Sequence, residues 1–215
     1  MTALALSRVL FPVTTLGPGR RVGIWFQGCS IHCPGCISVD TWPAHEPTTD
    51  VTGLLNALEP WLGKADGVTV TGGEPFDQAA GLEALLAGLR ARFQGDILVY
   101  SGYPYEALAG PLERLTGLMD ALISDPYESE AGDRLLLRGS DNQRLHRLTP
   151  LGRSRFERFN APGDKCRSLD LMMDADGRFW FAGIPRRGDF TRLRQTLEAQ
   201  GHQAETSQHH GRSCP

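Results

Sequence analysis

The chain has 215 residues, 40% of them hydrophobic, with a formal net charge of −3 at pH 7. This is enough apolar material for one domain with a small appendage. No stretch approaches the roughly 18 uninterrupted apolar residues of a membrane span, and residues 1–11 lack the basic and apolar regions of a leader peptide, so a cytosolic protein without a membrane segment is expected. Five cysteines, three clustered and two distant at Cys166 and Cys214, make no even disulfide framework, and in a reducing compartment such a cluster binds metal. Charge is uneven: residues 134–194 carry 14 Lys/Arg against 7 Asp/Glu, and residues 1–133 carry 7 against 16. Arginine as this chain's ordinary surface cation accounts for that, with an acidic partner as the alternative.

Residues 4–13 read as a strand or hairpin arm, followed by a turn at Thr15-Leu16-Gly17-Pro18-Gly19-Arg20. Residues 21–27 read as a buried strand, and the cysteine loop follows directly. Thr48, Thr49 or Asp50 can cap a helix with Leu54, Leu55, Leu58 and Trp61 on one face, ending near Gly63. Residues 68–71 are the next strand, closing in Gly72-Gly73-Glu74-Pro75. Asp77 is the expected N-cap of a helix carrying Leu82, Leu85, Leu86 and Leu89. A strand over 96–100 runs into Ser101-Gly102-Tyr103, helical pieces occupy 105–116, and another strand covers 119–124.

Strand and helix alternate, so the repeating unit predicts an α/β fold with a parallel sheet. In such sheets the loops at the carboxyl ends of the strands carry the chemistry. Residues 28–36, 72–75, 101–103 and 125–127 all fall on that edge. Beyond residue 149 the pattern changes. Strands over 168–173 and 178–182 flank the hairpin turn Asp174-Ala175-Asp176-Gly177, and residues 189–200 read as a closing helix with Phe190, Leu193 and Leu197 inward. The division expected is a core domain over 1–149, an extension over 150–201 packed on it, and a flexible tail over 202–215, where His209 and His210 are solvated.

Cys29, Cys33 and Cys36 are spaced C-x3-C-x2-C. Three thiolates in one short loop can hold three corners of a cubic 4Fe-4S cluster and leave one iron open to a small molecule. A structural zinc site completed by His32 or Cys166 is the competing reading, but such sites draw on two separated ligand pairs and no second pair exists here. Alone, Gly72-Gly73-Glu74-Pro75 is only a turn, and Ser101-Gly102-Tyr103 is equally weak.

Together, the cysteine loop and the Gly-Gly-Glu-Pro turn resemble the radical S-adenosylmethionine superfamily. Within it the chain is most similar to the anaerobic ribonucleotide reductase-activating proteins and their single-cluster relatives. The resemblance rests on Gly17-Pro18-Gly19-Arg20, Cys33-Pro34-Gly35-Cys36, Thr41-Trp42, Gly72-Gly73-Glu74-Pro75-Phe76, Tyr100-Ser101-Gly102-Tyr103 and Arg138-Gly139-Ser140-Asp141-Asn142-Gln143, in order over residues 11–148. It implies a partial, open βα barrel, with Cys29, Cys33 and Cys36 on the cluster. S-adenosyl-L-methionine (SAM) would chelate the open iron and be cleaved to methionine and a 5′-deoxyadenosyl radical. Gly72, Gly73 and Glu74 would lie along the methionine ammonium, with Pro75 in the same cofactor-binding turn and Ser101 and Asn142 toward the ribose or carboxylate; no further catalytic side chain is assigned.

The resemblance also implies a flavodoxin- or ferredoxin-like electron donor and a glycyl radical enzyme as protein substrate. A radical modifier of a peptide, nucleotide or small metabolite is the alternative on the same scaffold, and a non-catalytic iron–sulfur or zinc protein the alternative from another class. No recognisable RNA-binding module accompanies the Arg-rich segment. Two departures stand out. The loop after the fourth parallel strand reads Ser124-Asp125-Pro126-Tyr127 where the activating proteins usually have an Asp-Gly pair, and the C-terminal region is longer than they need. Cys166 and Cys214 read as free thiols.

Overall fold

The computed structural model describes residues 2–162 and 168–203. Cys166, Cys214 and the expected tail from residue 204 onward, with His209 and His210, lie outside them. In chain order the strands and helices are β1 (Ala3–Leu4), β2 (Leu6–Val13), β3 (Arg21–Phe26), β4 (Thr49–Asp50), α1 (Val51–Leu62), β5 (Gly67–Gly72), α2 (Ala79–Arg92), β6 (Asp96–Tyr100), α3 (Ala109–Arg114), β7 (Ala121–Ser124), β8 (Arg144–Arg147), α4 (Pro150–Arg155), β9 (Asp170–Met173), β10 (Phe179–Ala182) and α5 (Asp189–Ala199).

Six strands form one sheet in the order β2-β3-β5-β6-β7-β8. The four central strands are parallel, as the alternating pattern predicts. The sheet is not parallel throughout: β2 and β8 close its edges antiparallel. β8 escaped the sequence pattern because Arg-Leu-His-Arg offers one apolar side chain to an edge position that needs no more.

One face of the sheet is apolar and covered by helices. Val22, Ile24 and Phe26 of β3, Val68 and Val70 of β5, and Ile97 and Val99 of β6 pack with Leu54, Leu55, Leu58 and Leu62 of α1 and Leu82, Leu85, Leu86 and Leu89 of α2. This is why the central strands read as near-continuous apolar runs. Asp50, one of the three expected caps, takes the α1 N-cap and accepts from the Gly53 N–H at 2.9 Å. Asp77 does not cap α2. Gln78 occupies that position without a side-chain cap, and Glu74 caps the single 3-10 turn Pro75–Gln78 that precedes the helix.

The opposite face is more polar toward the strands' amino ends. There the Arg21 guanidinium pairs with Asp96 at 2.6 Å, both side chains fully buried, and its Nε donates to Thr69 Oγ1 at 2.6 Å. Arg155 of α4 adds a second cation on Asp96 at 3.0 Å. Phe156 and Phe159 then join Leu98, Ala121 and Ile123 in a second apolar cluster. Residues just beyond 149 thus back the sheet rather than hang from it.

The β9–β10 hairpin appears as expected and packs Met172 and Trp180 on Leu10, Val13 and Trp25. Asp170 fixes it by accepting from Thr14 Oγ1 at 2.7 Å and Thr15 Oγ1 at 2.8 Å. Arg8 lies over both Trp25 and Trp180 and pairs with Asp40, tying this edge to the exit of the cysteine loop. The inward packing expected of α5 is incomplete: none of its residues is fully buried, and Phe190 meets Phe181 edge to face at 5.2 Å. Among the described residues no helix is long and apolar enough to cross a membrane.

Candidate functional site

All four loops at the carboxyl ends of the parallel strands meet. The cysteine loop leaves β3 and returns through a 3-10 turn, Val39–Thr41, that bonds back to its start. Gly28 N–H donates to the Thr41 carbonyl at 2.8 Å and Cys29 N–H to the Trp42 carbonyl at 3.1 Å. The β5 loop is pressed against this base: Gly73 N–H donates to the Phe26 carbonyl and Glu74 N–H to the Gly28 carbonyl, both at 2.9 Å.

Glycine is required at both 72 and 73. Gly72 has φ +106°, and a Cβ there would sit 2.5 Å from the Phe26 backbone; at Gly73 a Cβ would lie 2.0 Å from the Gly28 carbonyl oxygen. The turn that looked generic in the sequence is a close backbone contact between two strand ends.

Glu74 is 1% exposed. It accepts from Phe76 N–H at 3.0 Å, Ser101 Oγ at 3.0 Å and Gly102 N–H at 2.7 Å. Burial pushes its pKa up to about 7 against the pull of those donors. Three of a carboxylate's roughly four acceptor positions are filled, which leaves one for a further donor. Ser101 is therefore brought directly to Glu74. Asn142 is held by the 124–127 loop, its Nδ2 donating to the Pro126 carbonyl at 2.8 Å, while its Oδ1 is buried with no hydrogen-bond partner among the described residues.

Sequence reasoning missed a clamp. Asp77 accepts from Ser30 N–H at 2.8 Å, Ser30 Oγ at 3.0 Å and Tyr103 Oη at 2.7 Å, joining the cysteine, β5 and β6 loops. Its position before a helical run mimics an N-cap, and only the fold brings Ser30 to it. Gln27 and Gln78 make a second tie: Gln78 Nε2 donates to the Gln27 carbonyl at 2.9 Å.

The three cysteines are unpaired and partly exposed. Burial raises all three thiols, Cys36 to about 11, and nearby N–H groups oppose it: His32 and Ile31 at Cys29, Tyr127 at Cys33, and Ser38 and the Trp42 indole at Cys36. The Ser38 N–H lies 3.4 Å from Cys36 Sγ. The departing loop at 124–127 thus has a contact of its own, since the Tyr127 backbone acts on Cys33. Asp125 adopts φ +83° there and is held by Arg144 at 2.7 Å.

This donor set fits a 4Fe-4S cluster: three sulfurs, surrounding N–H donors, and an adjoining backbone cradle at Gly73 that admits no side chain. Such a cluster would take each of the three thiolates on a different iron. Among the described residues no three His, Cys, Asp or Glu side chains are gathered closely enough to hold a single ion. His32, the proposed zinc ligand, instead stacks its ring on Trp42 with centroids 4.7 Å apart.

Comparison with known proteins agrees with the site. Residues 15–146 match the family described as 4Fe-4S single cluster domain. The chain is 35% identical over 134 residues to an anaerobic ribonucleoside-triphosphate reductase-activating protein of Enterobacteria phage T4, covering 60% of this chain and 85% of that one. It is 30% identical over 147 residues to the protein of the same name from Escherichia coli (strain K12), covering 64% and 96%. A shorter match, 41% over 83 residues, covers 36% of this chain and 33% of a pyruvate formate-lyase-activating enzyme of Staphylococcus aureus (strain USA300).

Proposed function

Because this chain belongs to the 4Fe-4S single cluster domain family, and with it to the radical S-adenosylmethionine activases, we propose that it activates a glycyl radical enzyme of the anaerobic ribonucleotide reductase kind. The chain is an enzyme, and its cofactors are a 4Fe-4S cluster and SAM. When bound, the cluster would supply the electron for reductive cleavage of SAM, the chemistry by which a hydrogen atom is removed from a partner's glycine.

The chain's residues bind, orient and shield. In this reading Cys29, Cys33 and Cys36 hold three irons. Gly72 and Gly73 let the backbone come alongside the methionine moiety, Pro75 opens the 3-10 turn that Glu74 caps, and Glu74 offers its remaining acceptor position to the ammonium. Binding that cation favours the ionised carboxylate that burial otherwise disfavours. Ser101 orients Glu74 and holds the β6 loop, and Asn142 presents its unmatched Oδ1 to a ribose hydroxyl.

The polar inner face of the sheet, open at its edge, is read as the interior of a partial βα barrel. Residues 1–149 then carry the chemistry, and within the extension over 150–201 the described α4 and the β9–β10 hairpin back the barrel's base and its β2–β3 edge. A flavodoxin- or ferredoxin-like protein supplies the electron in this account.

The observation that supports the proposal is the seating of the Gly72–Glu74 backbone on the first turn of the cysteine loop, where Glu74 N–H donates to the Gly28 carbonyl, next to Cys29, at 2.9 Å. Anaerobic reconstitution with iron and sulfide, reduction, and addition of SAM should give 5′-deoxyadenosine. Cys29→Ala, Cys33→Ala and Cys36→Ala should each abolish it. Zinc in place of iron, with no cleavage, contradicts the proposal.

A further inference from the structure

Arg8 stands where strand alternation would put an apolar side chain. Leu6 pairs with Phe26 and packs on the helix-covered face, and strict alternation would carry residue 8 to that face again. The pairing instead passes from Leu6–Phe26 to Arg8–Trp25, two steps along β2 for one along β3. Such a bulge turns every later side chain to the other face of the sheet. Val9 accordingly packs with the helices, and Arg8 and Leu10 join Trp25 on the inner face.

There the Arg8 guanidinium is enclosed between two rings. It lies 5.3 Å from the centroid of Trp25 and 4.9 Å from that of Trp180, which the β9–β10 hairpin brings over it, and the side chain is 11% exposed. Two aromatic faces fix the direction of the cation. One of its nitrogens donates to Ser7 Oγ at 3.0 Å and makes the ion pair with Asp40. Asp40 belongs to the 3-10 turn Val39–Thr41 on which the cysteine loop closes. The backbone of that turn is bonded to the start of the loop: Gln27 Nε2 donates to the Asp40 carbonyl at 3.2 Å, and Gly28 N–H to the Thr41 carbonyl at 2.8 Å. The Asp40 carboxylate is held by Arg8. An ion pair this enclosed adds little to stability over apolar packing of the same volume, so the fold by itself has no need of a cation here. What the cation adds is direction, a fixed link from the hairpin to the loop that carries the three cysteines.

We propose that Arg8 is a positioning residue through which the β9–β10 hairpin braces the return turn of the cysteine loop, so that the C-terminal extension serves to hold the cluster in its loop. Trp180, Arg8 and Asp40 act as one link. None of them touches a cysteine or the Gly72–Glu74 turn. The inference rests on the cluster reading above.

The test uses the full-length protein, reconstituted anaerobically with iron and sulfide, and follows iron release to a ferrous-iron chelator. Arg8→Met and Asp40→Asn should each release iron about 10-fold faster than wild type, the lower end of the cost of losing a residue that supports a metal ligand set. Arg8→Lys should recover part of the difference. Trp180→Leu should accelerate release by itself and add nothing to Asp40→Asn, as members of one link do. The denaturant midpoint of the metal-free Asp40→Asn protein should match that of wild type. Release at the wild-type rate from Asp40→Asn or from Trp180→Leu overturns the proposal. So do effects of those two substitutions that multiply, and so does an Asp40→Asn midpoint that falls in step with release, which would make the link a support of the fold at large. A wild-type protein that takes up no iron overturns the cluster reading instead and is recognised before any chelator is added.

Discussion

Gly73 lies directly on Gly28: the carbonyl oxygen of Gly28 occupies the place, 2.0 Å away, where any other residue at 73 would put its Cβ. The same oxygen accepts the Glu74 N–H at 2.9 Å. A methyl group at 73 must push the β5 loop off the cysteine loop. Gly73→Ala is therefore expected to leave the helix-covered core folded and to cut 5′-deoxyadenosine formation by about 100-fold, the usual cost of a misplacement near 1 Å. Circular dichroism with the cleavage assay checks both halves.

Glu74 gives the cofactor-free protein a pH signature. Its pKa stands near 7 in the folded chain against an ordinary 4.5. The folded state therefore holds a proton that the unfolded state releases between those values, so this contribution to stability is present below about 4.5 and is lost as pH rises through 7. The whole effect is at most about 3 kcal/mol. Thermal unfolding of wild type and Glu74→Gln from pH 4 to 8 should give a difference curve that falls for wild type over that window and flattens above it.

Asp77 holds three loops through Ser30 and Tyr103. In Asp77→Ala the amides of residues 29–36 should exchange faster, while those of β5 and β6 stay protected. The expected cost is about 0.5–1.5 kcal/mol, the net contribution of a typical hydrogen bond, because Asp77 is exposed and water replaces the lost acceptor. Hydrogen exchange read by mass spectrometry locates the change. Uniform acceleration across the sheet would mean that Asp77 supports the fold rather than the loop.

At the sheet's base, Arg21 and Asp96 form a fully buried pair. Removing one partner strands a charge. Asp96→Ala should lower stability by roughly 3–5 kcal/mol in denaturant titration, more than any of the loop variants.

Much of this was legible in the sequence, for identifiable reasons. The parallel strands are buried on both faces, so they read as apolar runs, and α1 and α2 carry leucine stripes that match the helical period. The cysteine spacing and the Gly-Gly-Glu-Pro turn marked the sheet edge. What could not be read were relations created by folding. Asp77 resembles an N-cap locally, and only strand order brings Ser30 and Tyr103 to it. Arg144 to Arg147 carries no strand pattern because an edge strand makes few demands. Ser101 stands out in the sequence at the end of the β6 strand, but its hydrogen bond to Glu74 does not.

The central claim is that this site makes a radical that ends on a partner's glycine. The most direct measurement is anaerobic electron paramagnetic resonance after the reduced, reconstituted protein is mixed with SAM and an anaerobic ribonucleotide reductase. The account predicts the doublet of a persistent glycyl radical on the reductase, formed together with 5′-deoxyadenosine and absent with Cys36→Ala. Sustained 5′-deoxyadenosine turnover with a modified small product and no protein radical would contradict it.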